Sequence, residues 1–269
     1  MQKAKHVTMI TAPCSNVYIF SSYLWNGNGD AKRDDDHGKH CFLPYHRDRL
    51  VSSARALYWG SVANFLDGEI GIKRLSDAVE EHLATTSHTG IATSTRKIKV
   101  CIHENHSFYV ESAFTAPADP LNVFPMPPEL SRVDVLASYC VVRLDVEPTL
   151  ASLFTSHKTS ERSQYDRARR AADIVHEPPT TAEILLFNPR NEIMECSLST
   201  PYFQRNNRWV TPPLSCGGNA GVTRRLALEL GLCDEQIVPI ESLCHQEAVW
   251  ISNGVRGFFP GIVHLQISS

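Results

Sequence analysis

Five prolines fall within the stretch Ala116–Glu129, APADPLNVFPMPPE. Each proline removes a backbone donor and fixes φ at about −65°, so no helix or interior strand can run through it. The chain must cross this region as an irregular loop lying over a surface or a cleft. Before it, Val7 to Trp25 is rich in β-branched and aromatic residues and reads as one or two strands, closed by the turn chemistry of WNGNGD. From His46 the period becomes helical: Leu50, Ala54, Leu57 and Tyr58 share one face, and Leu75, Val79, His82 and Leu83 another. Lys97 to Ile102 and Phe108 to Ala113, separated by ENHS, read as a hairpin. Beyond the prolines, DVLASYCVVRLDV is a strand-like run stopped at Pro148, and Ser163 to Ile174 a helix. AEILLFNPRNEIMECS is a hairpin turning at NPRN, and RWVTPPL a short strand halted by two prolines. NAGVTRRLALELGL enters a helix whose apolar face carries Leu226 and Leu230. Strands mixed with helices on both sides predict an α/β (α+β) fold in two domains, residues 1–147 and 152–269, joined by a linker at 148–151. The cleft between two such domains is the default ligand site.

Charge narrows the partners. Across 269 residues, 26 basic and 29 acidic side chains leave a net charge of −3, which gives no general pull toward nucleic acid or an anionic membrane. The longest apolar runs are too short to span a bilayer. The opening MQKAKHVTMITAPCSNVYIF breaks its apolar run with Thr, Pro, Ser and Asn, unlike a signal peptide, and a cytoplasmic location is the expectation. Eight widely spread cysteines, with no CxxC pair, read as free thiols. DDDHGKHC gathers Asp34 to Asp36, His37, His40 and Cys41, but a structural zinc would need a second ligand pair at matching spacing; the segment reads as a solvated loop and no metal is expected.

Three features carry chemistry. In CGGNAGVTRR, Gly217, Gly218 and Gly221 let the backbone bend into a helix whose first turn holds Val222 and Thr223, and free amides at such a start cradle phosphate. A triphosphate loop would place Lys before the Ser/Thr, where this chain has Val222; a plain glycine-rich helix cap is the other reading. Lys158, flanked by Leu153 and Phe154 on one side and a polar helix on the other, is an amine that burial would make a carbonyl nucleophile. Glu195 sits in an otherwise apolar strand, where a carboxylate requires a partner, and a cationic one is expected. Together the three are what holds pyridoxal 5'-phosphate: phosphate at the helix start, aldehyde carbon on the amine, ring nitrogen against the carboxylate.

The runs HKTSERSQYDRARRAA, EILLFNPRNEIMECSLSTPYF, WVTPPLSCGGNAGVTRRLALELG and WISNGVRGFFPG, with LPYHRDRLVSSARAL in the first half, resemble the fold-type IV (class IV aminotransferase) pyridoxal-phosphate enzymes. Within them the chain is most similar to the fungal 4-amino-4-deoxychorismate lyases. The resemblance implies a two-domain fold like that of D-amino acid aminotransferase, with the cofactor in the interdomain cleft, and a homodimer. It implies that Lys158 carries the cofactor and that Glu195 partners its ring nitrogen. Arg49 matches the arginine that grips the phosphate, with His46 one turn earlier on the same helix face, where capping or core packing are equal alternatives to chemistry. Gly221, Val222 and Thr223 match the phosphate cradle, Ser252 and Asn253 a second loop reaching that phosphate, and Ser197, Ser199 and Thr200 the stretch along the cofactor's side. Arg224 and Arg225 read equally well as ordinary ion pairs. One departure stands out: family members carry an arginine in the early strand, where FSSYLW places Leu24. The implied reaction converts 4-amino-4-deoxychorismate to 4-aminobenzoate and pyruvate, a folate-precursor step. The alternatives are a transaminase of the same fold acting on a D-amino acid, a branched-chain amino acid or an amine, and a non-catalytic descendant that binds a phosphorylated small molecule.

Overall fold

The computed structural model describes residues 17–27, 40, 42–86, 95–116 and 139–265. The amino-terminal run before Val17, most of DDDHGKHC and the proline-rich loop beyond Ala116 lie outside them.

A three-stranded antiparallel sheet, in the order β1-β2-β3, is built from β1 (Tyr18–Asn26), β2 (Thr95–His103) and β3 (Phe108–Phe114). The expected hairpin is therefore present, and of the early strand-like run the portion from Tyr18 is strand. Helices α1 (Leu43–Ala56), α2 (Gly60–Phe65) and α3 (Gly68–Thr86) cover one face. Side chains alternate across a strand, and the register sets Leu24 opposite Lys97 and Ser22 opposite Lys99. Ile19, Tyr23 and Trp25 consequently point to the helices and share a core with Leu50, Leu75 and Ile98. Phe20, Ser22, Lys97 and Lys99 point the other way, into a cavity.

The rest of the chain forms an eight-stranded mixed sheet. Its strands are β4 (Cys140–Leu144), β5 (Ala182–Phe187), β6 (Ile193–Cys196), β7 (Thr200–Arg205), β8 (Arg208–Thr211), β9 (Asp234–Glu235), β10 (Ala248–Asn253) and β11 (Gly257–His264), ordered β6-β5-β4-β11-β10-β7-β8-β9. Strands β6 and β7 lie five places apart in that order, which in a flat sheet would be roughly 24 Å. Only residues 197–199 join them, a link that reaches about 15 Å at most, so the sheet must curl. Cys196 N indeed donates to Ser199 O at 3.0 Å across the join. Helices α4 (Leu153–Ser156), α5 (Ser163–Ala171) and α6 (Val222–Glu229) pack around this sheet. Its core joins Val142, Leu185, Phe203, Ile251 and Val263.

Some expectations change. The strands β10 and β11 carry no clear period in the sequence, because both their faces are largely buried; α2, with only Val62 and Ala63 buried, and β7, which mixes Thr200 and Gln204 with apolar residues, are too short to show one. Ser252 and Asn253, expected in a loop, are the last two residues of strand β10. Leu230, expected on the buried face of α6, is 56% exposed because the helix ends there. The six described cysteines are free thiols, while Cys14 and Cys41 fall outside the described residues.

Candidate active site

Two backbone devices place Lys158. Ser152 and Thr155 form a reciprocal capping box that fixes the start of α4, and the chain leaves that helix extended at His157. Residues 158–160 then lie antiparallel along the free edge of β1: Phe20 N donates to Lys158 O at 3.0 Å and Ser160 N to Tyr18 O at 2.8 Å. The lysine is thus strapped to the small sheet although it belongs to the chain of the large one. Its amine stands 5.0 Å from the Phe20 ring centroid. Phe154 lines the same cavity as expected, but Leu153 is 47% exposed and points away; Phe20 takes the place expected of it.

Glu195 lies in β6, opposite Leu186, and every residue of that strand is buried. Its hydrogen-bonding side-chain partner is a phenol, Tyr165 of α5, which donates its hydroxyl to Glu195 Oε1, while the cations Lys158 and Arg162 act on the carboxylate through space. A backbone hydrogen bond from Asn219 reaches the same carboxylate. Burial raises its pKa above the ordinary carboxylate range, and the Tyr165 hydrogen bond and the Lys158 charge oppose that rise. The reverse holds for Lys158, whose pKa is driven well below that of free lysine by burial and then by Arg49 and Arg162.

The anion-binding wall is made of donors. Gly221 caps α6 without a side-chain hydrogen bond, so the first-turn amides at Val222 and Thr223 have no partner within the helix. Only Gly217 of the three glycines adopts a left-handed φ, +106°. Gly221 has an ordinary φ of −63° and is needed for closeness: a Cβ there would come within 2.8 Å of Thr200 Oγ1. Gly218 likewise lies against Met194 O. Ser252 Oγ donates to Thr223 Oγ1 at 2.7 Å and sits 2.8 Å from Tyr202 Oη, tying the end of β10 to the helix start. Asn253 Nδ2 donates to Ser199 Oγ at 3.2 Å. Opposite stands Arg49 of α1, held by Ser21 Oγ and with its Nε unpartnered among the described residues. Burial lowers the Arg49 pKa to about 10, which leaves it fully charged at neutral pH.

The amine, the carboxylate and the anion donors face one cavity of about 630 Å³, a size suited to a small molecule. Arg49, Lys158, Glu195, Ser197, Ser199, Thr200, Gly221, Val222, Thr223, Ser252 and Asn253 all line it. A buried guanidinium, free amides and hydroxyls at one wall, a depressed-pKa amine and a buried carboxylate fit pyridoxal phosphate group by group. His46 is buried in the second turn of α1, which Phe42 caps, so the core alternative stands and the capping one does not. Arg225 of α6 pairs with Asp48 of α1 at 2.7 Å, and Arg224 is buried against Pro212 O and Glu235.

Sequence reasoning passed over Tyr165, Arg162, Lys97, Lys99 and Arg256, all of which line the cavity. It also passed over Glu183, buried in β5, whose carboxylate accepts from Ser197 Oγ at 2.6 Å and Leu198 N at 3.1 Å and so fixes the 197–199 turn. A buried glutamate in the run AEILLF, like Glu195 in its own, was the available signal. Leu24, where an arginine was expected, is buried and does not line the cavity; Lys97 stands opposite it on β2.

Among the described residues no cluster of His, Cys, Asp or Glu could hold a metal ion, and no helix is long and apolar enough to cross a membrane. The class IV aminotransferase family model matches residues 34–262. Aminodeoxychorismate lyase of Saccharomyces cerevisiae is 36% identical over 131 residues, covering 44% of this chain and 35% of that protein. The matched stretch thus spans about a third of the length of that curated relative. A solved structure of a candidate amino-acid aminotransferase from Mesorhizobium loti aligns at TM-score 0.67 and 20% identity, over 93% of this chain and 100% of that one. A hypothetical aminotransferase from Mycobacterium tuberculosis, bound to α-ketoglutarate and PMP, aligns at TM-score 0.58 and 15% identity, over 93% of this chain and 83% of that one. At such identities the structural likeness concerns the fold.

Proposed function

The chain belongs to the class IV aminotransferase family, and on that premise we propose that it is a pyridoxal-phosphate lyase converting 4-amino-4-deoxychorismate to 4-aminobenzoate and pyruvate. One observation carries the cofactor: Lys158 and Glu195, one amine and one acid with oppositely displaced pKa values, face a single cavity whose far wall is a set of anion donors. The likeness to the yeast lyase supports the reaction. When bound, pyridoxal phosphate supplies an aldehyde carbon that condenses with amines and a protonated ring that accepts an electron pair. Arg49, the amides at Val222 and Thr223, and the linked hydroxyls of Thr223 and Ser252 would hold its phosphate. Ser197, Ser199, Thr200, Gly221 and Asn253 would line its sides. Glu195, steadied by Tyr165, would hold the proton of the ring nitrogen.

Lys158 does the proton work. Burial and neighbouring cations lower its pKa to about 7, so much of the amine is uncharged at neutral pH, and its Nζ would remove the proton from the amine-bearing carbon of a bound substrate. Cleavage of the ring C–O bond would then release enolpyruvate, which takes up a proton to become pyruvate, and leave the substrate ring aromatic; aromatisation supplies much of the driving force. The eight-stranded sheet would form the larger, cofactor-binding domain and the three-stranded sheet the smaller one; because β4 already belongs to the larger sheet, the division would precede Cys140 rather than fall at 148–151. A cytoplasmic homodimer completes the reading.

The likeness to aminotransferase structures favours a second reading, transamination on the same cavity. Purified protein loaded with pyridoxal phosphate and given aminodeoxychorismate should release pyruvate and 4-aminobenzoate with no keto-acid acceptor. Turnover that appears only with an amino donor and a 2-oxo acid would replace the lyase with a transaminase.

A further inference from the structure

His46 is buried, and nothing in the proposed chemistry uses it. Its Nδ1 lies 2.7 Å from Ser21 Oγ, and the same oxygen receives Arg49 Nη2. A guanidinium has donors only, so Ser21 Oγ accepts from Arg49 and keeps its own hydroxyl proton to give to His46 Nδ1. Arg49 Nη2 lies 3.5 Å from the same nitrogen and turns donor hydrogens toward it, so an accepting Nδ1 is the arrangement that suits both neighbours. A neutral imidazole then carries its proton on Nε2. Burial, with the charges of Arg49 and Lys158 behind it, holds the ring well below the ordinary imidazole pKa, in agreement with that neutral form.

The other side of the ring is clamped as well. A Cβ on Gly254 would come within 2.9 Å of His46 Cε1, so the imidazole lies against the turn that follows Ser252 and Asn253. The Tyr23 ring, with its centroid 5.0 Å away, covers a further side. One imidazole thus touches the arginine wall of the cavity through Ser21 and the β10 wall through Gly254.

Resting on the reading of Arg49 as the phosphate-holding cation, we infer that His46 is a positioning residue: as an Nδ1 acceptor it orients Ser21, which in turn aims the Arg49 guanidinium into the cavity. The inference also gives Ser21 in FSSYLW a use distinct from that of Ser22, which faces the cavity on the opposite side of the strand. Removing the acceptor frees the Ser21 hydroxyl to rotate and leaves the guanidinium without its fixed post.

The test compares pyridoxal phosphate with pyridoxal, which lacks the phosphate, using the absorbance of the bound cofactor. His46→Phe and Ser21→Ala should each weaken pyridoxal phosphate about tenfold and leave pyridoxal unchanged, because one charge-assisted contact is misaimed. The double variant should lose no more than either single one, since both act through one relay. His46→Asn, whose Oδ1 occupies the place of Nδ1, should recover most of the affinity. Equal losses for both ligands, or additive losses in the double variant, overturn the inference. Nitrogen NMR of labelled His46 without any cofactor separates this outcome from failure of the functional reading: Nδ1 should appear unprotonated and Nε2 protonated at neutral pH. If the protein takes up no pyridoxal phosphate but the tautomer is as stated, the functional reading falls and the relay stands; a proton on Nδ1 sinks the relay whatever the cofactor does.

Discussion

The two walls of the cavity differ in kind. The wall from the eight-stranded sheet brings a carboxylate on an interior-facing strand, an amine at a helix exit and free amides at a helix start, each fixed by buried partners: Tyr165 for Glu195, Tyr202 for Ser252. The wall from the three-stranded sheet brings cations and an aromatic ring, Arg49, Lys97, Lys99 and Phe20, on a strand face and a helix. The first wall is equipped to move protons and to receive an anion with neutral donors, and the second adds the positive charge. Because residues 158–160 pair with β1, the reactive amine is the seam between them, and its position depends on both. Removing a cation from the second wall should therefore weaken anion binding while sparing the chemistry, and altering the acid of the first should do the reverse.

Lys158→Ala should have the largest effect, abolishing covalent fixation of the cofactor by borohydride and lowering turnover by at least about 10³-fold while the fold persists. A matching Lys158→Met variant tests the burial of the amine. The depressed pKa means that the unfolded chain binds this proton more tightly than the folded one. The cofactor-free variant should therefore be more stable than wild type by roughly 3–5 kcal/mol at pH below that depressed value, the gain fading as pH rises toward about 10.4. A gain that does not vary with pH would show that the amine is solvated.

Glu195→Gln comes next: bound cofactor retained, turnover down by roughly 10²–10³-fold, read by steady-state kinetics at saturating cofactor. Unchanged turnover would remove the large sheet's claim to the chemistry. Arg49→Gln should do the opposite, weakening pyridoxal phosphate by about 10- to 100-fold in a titration while turnover at saturation falls much less. A large loss at saturation would mean that the small sheet's wall also takes part in the chemistry. Arg225→Ala, which breaks the exposed pair with Asp48 between α6 and α1, should cost at most about 1 kcal/mol in thermal unfolding and nothing in cofactor affinity. A larger loss would mean that this pair fixes how the two walls meet.

Local signals were readable wherever a residue's own type was at odds with its surroundings. Glu195 in an apolar strand, glycines before a helix and helical periods at Leu50 and Leu75 each announce themselves in a few neighbouring letters. Tyr165 did not, because a tyrosine on a helix face is ordinary until the fold sets its hydroxyl on a carboxylate thirty positions away in sequence. The resemblance implies a loop at Ser252 and Asn253, but they end strand β10, because family position carries a residue's role and not its hydrogen-bonded partners.

Composition and pattern by themselves determined a mixed α/β chain, its longer helices, two of its hairpins and the residue types at its reactive positions, since these follow from propensity and from the cost of burying a charge. Only the tertiary structure decided which of those residues meet. Strand register chose Phe20 and Lys97 for the cavity and Ser21 for the core, the curl of the sheet brought β6 beside β7, and the pairing of 158–160 with β1 set the amine between two walls. Those choices rest on contacts between residues far apart in the chain, whose energy no local stretch of sequence contains.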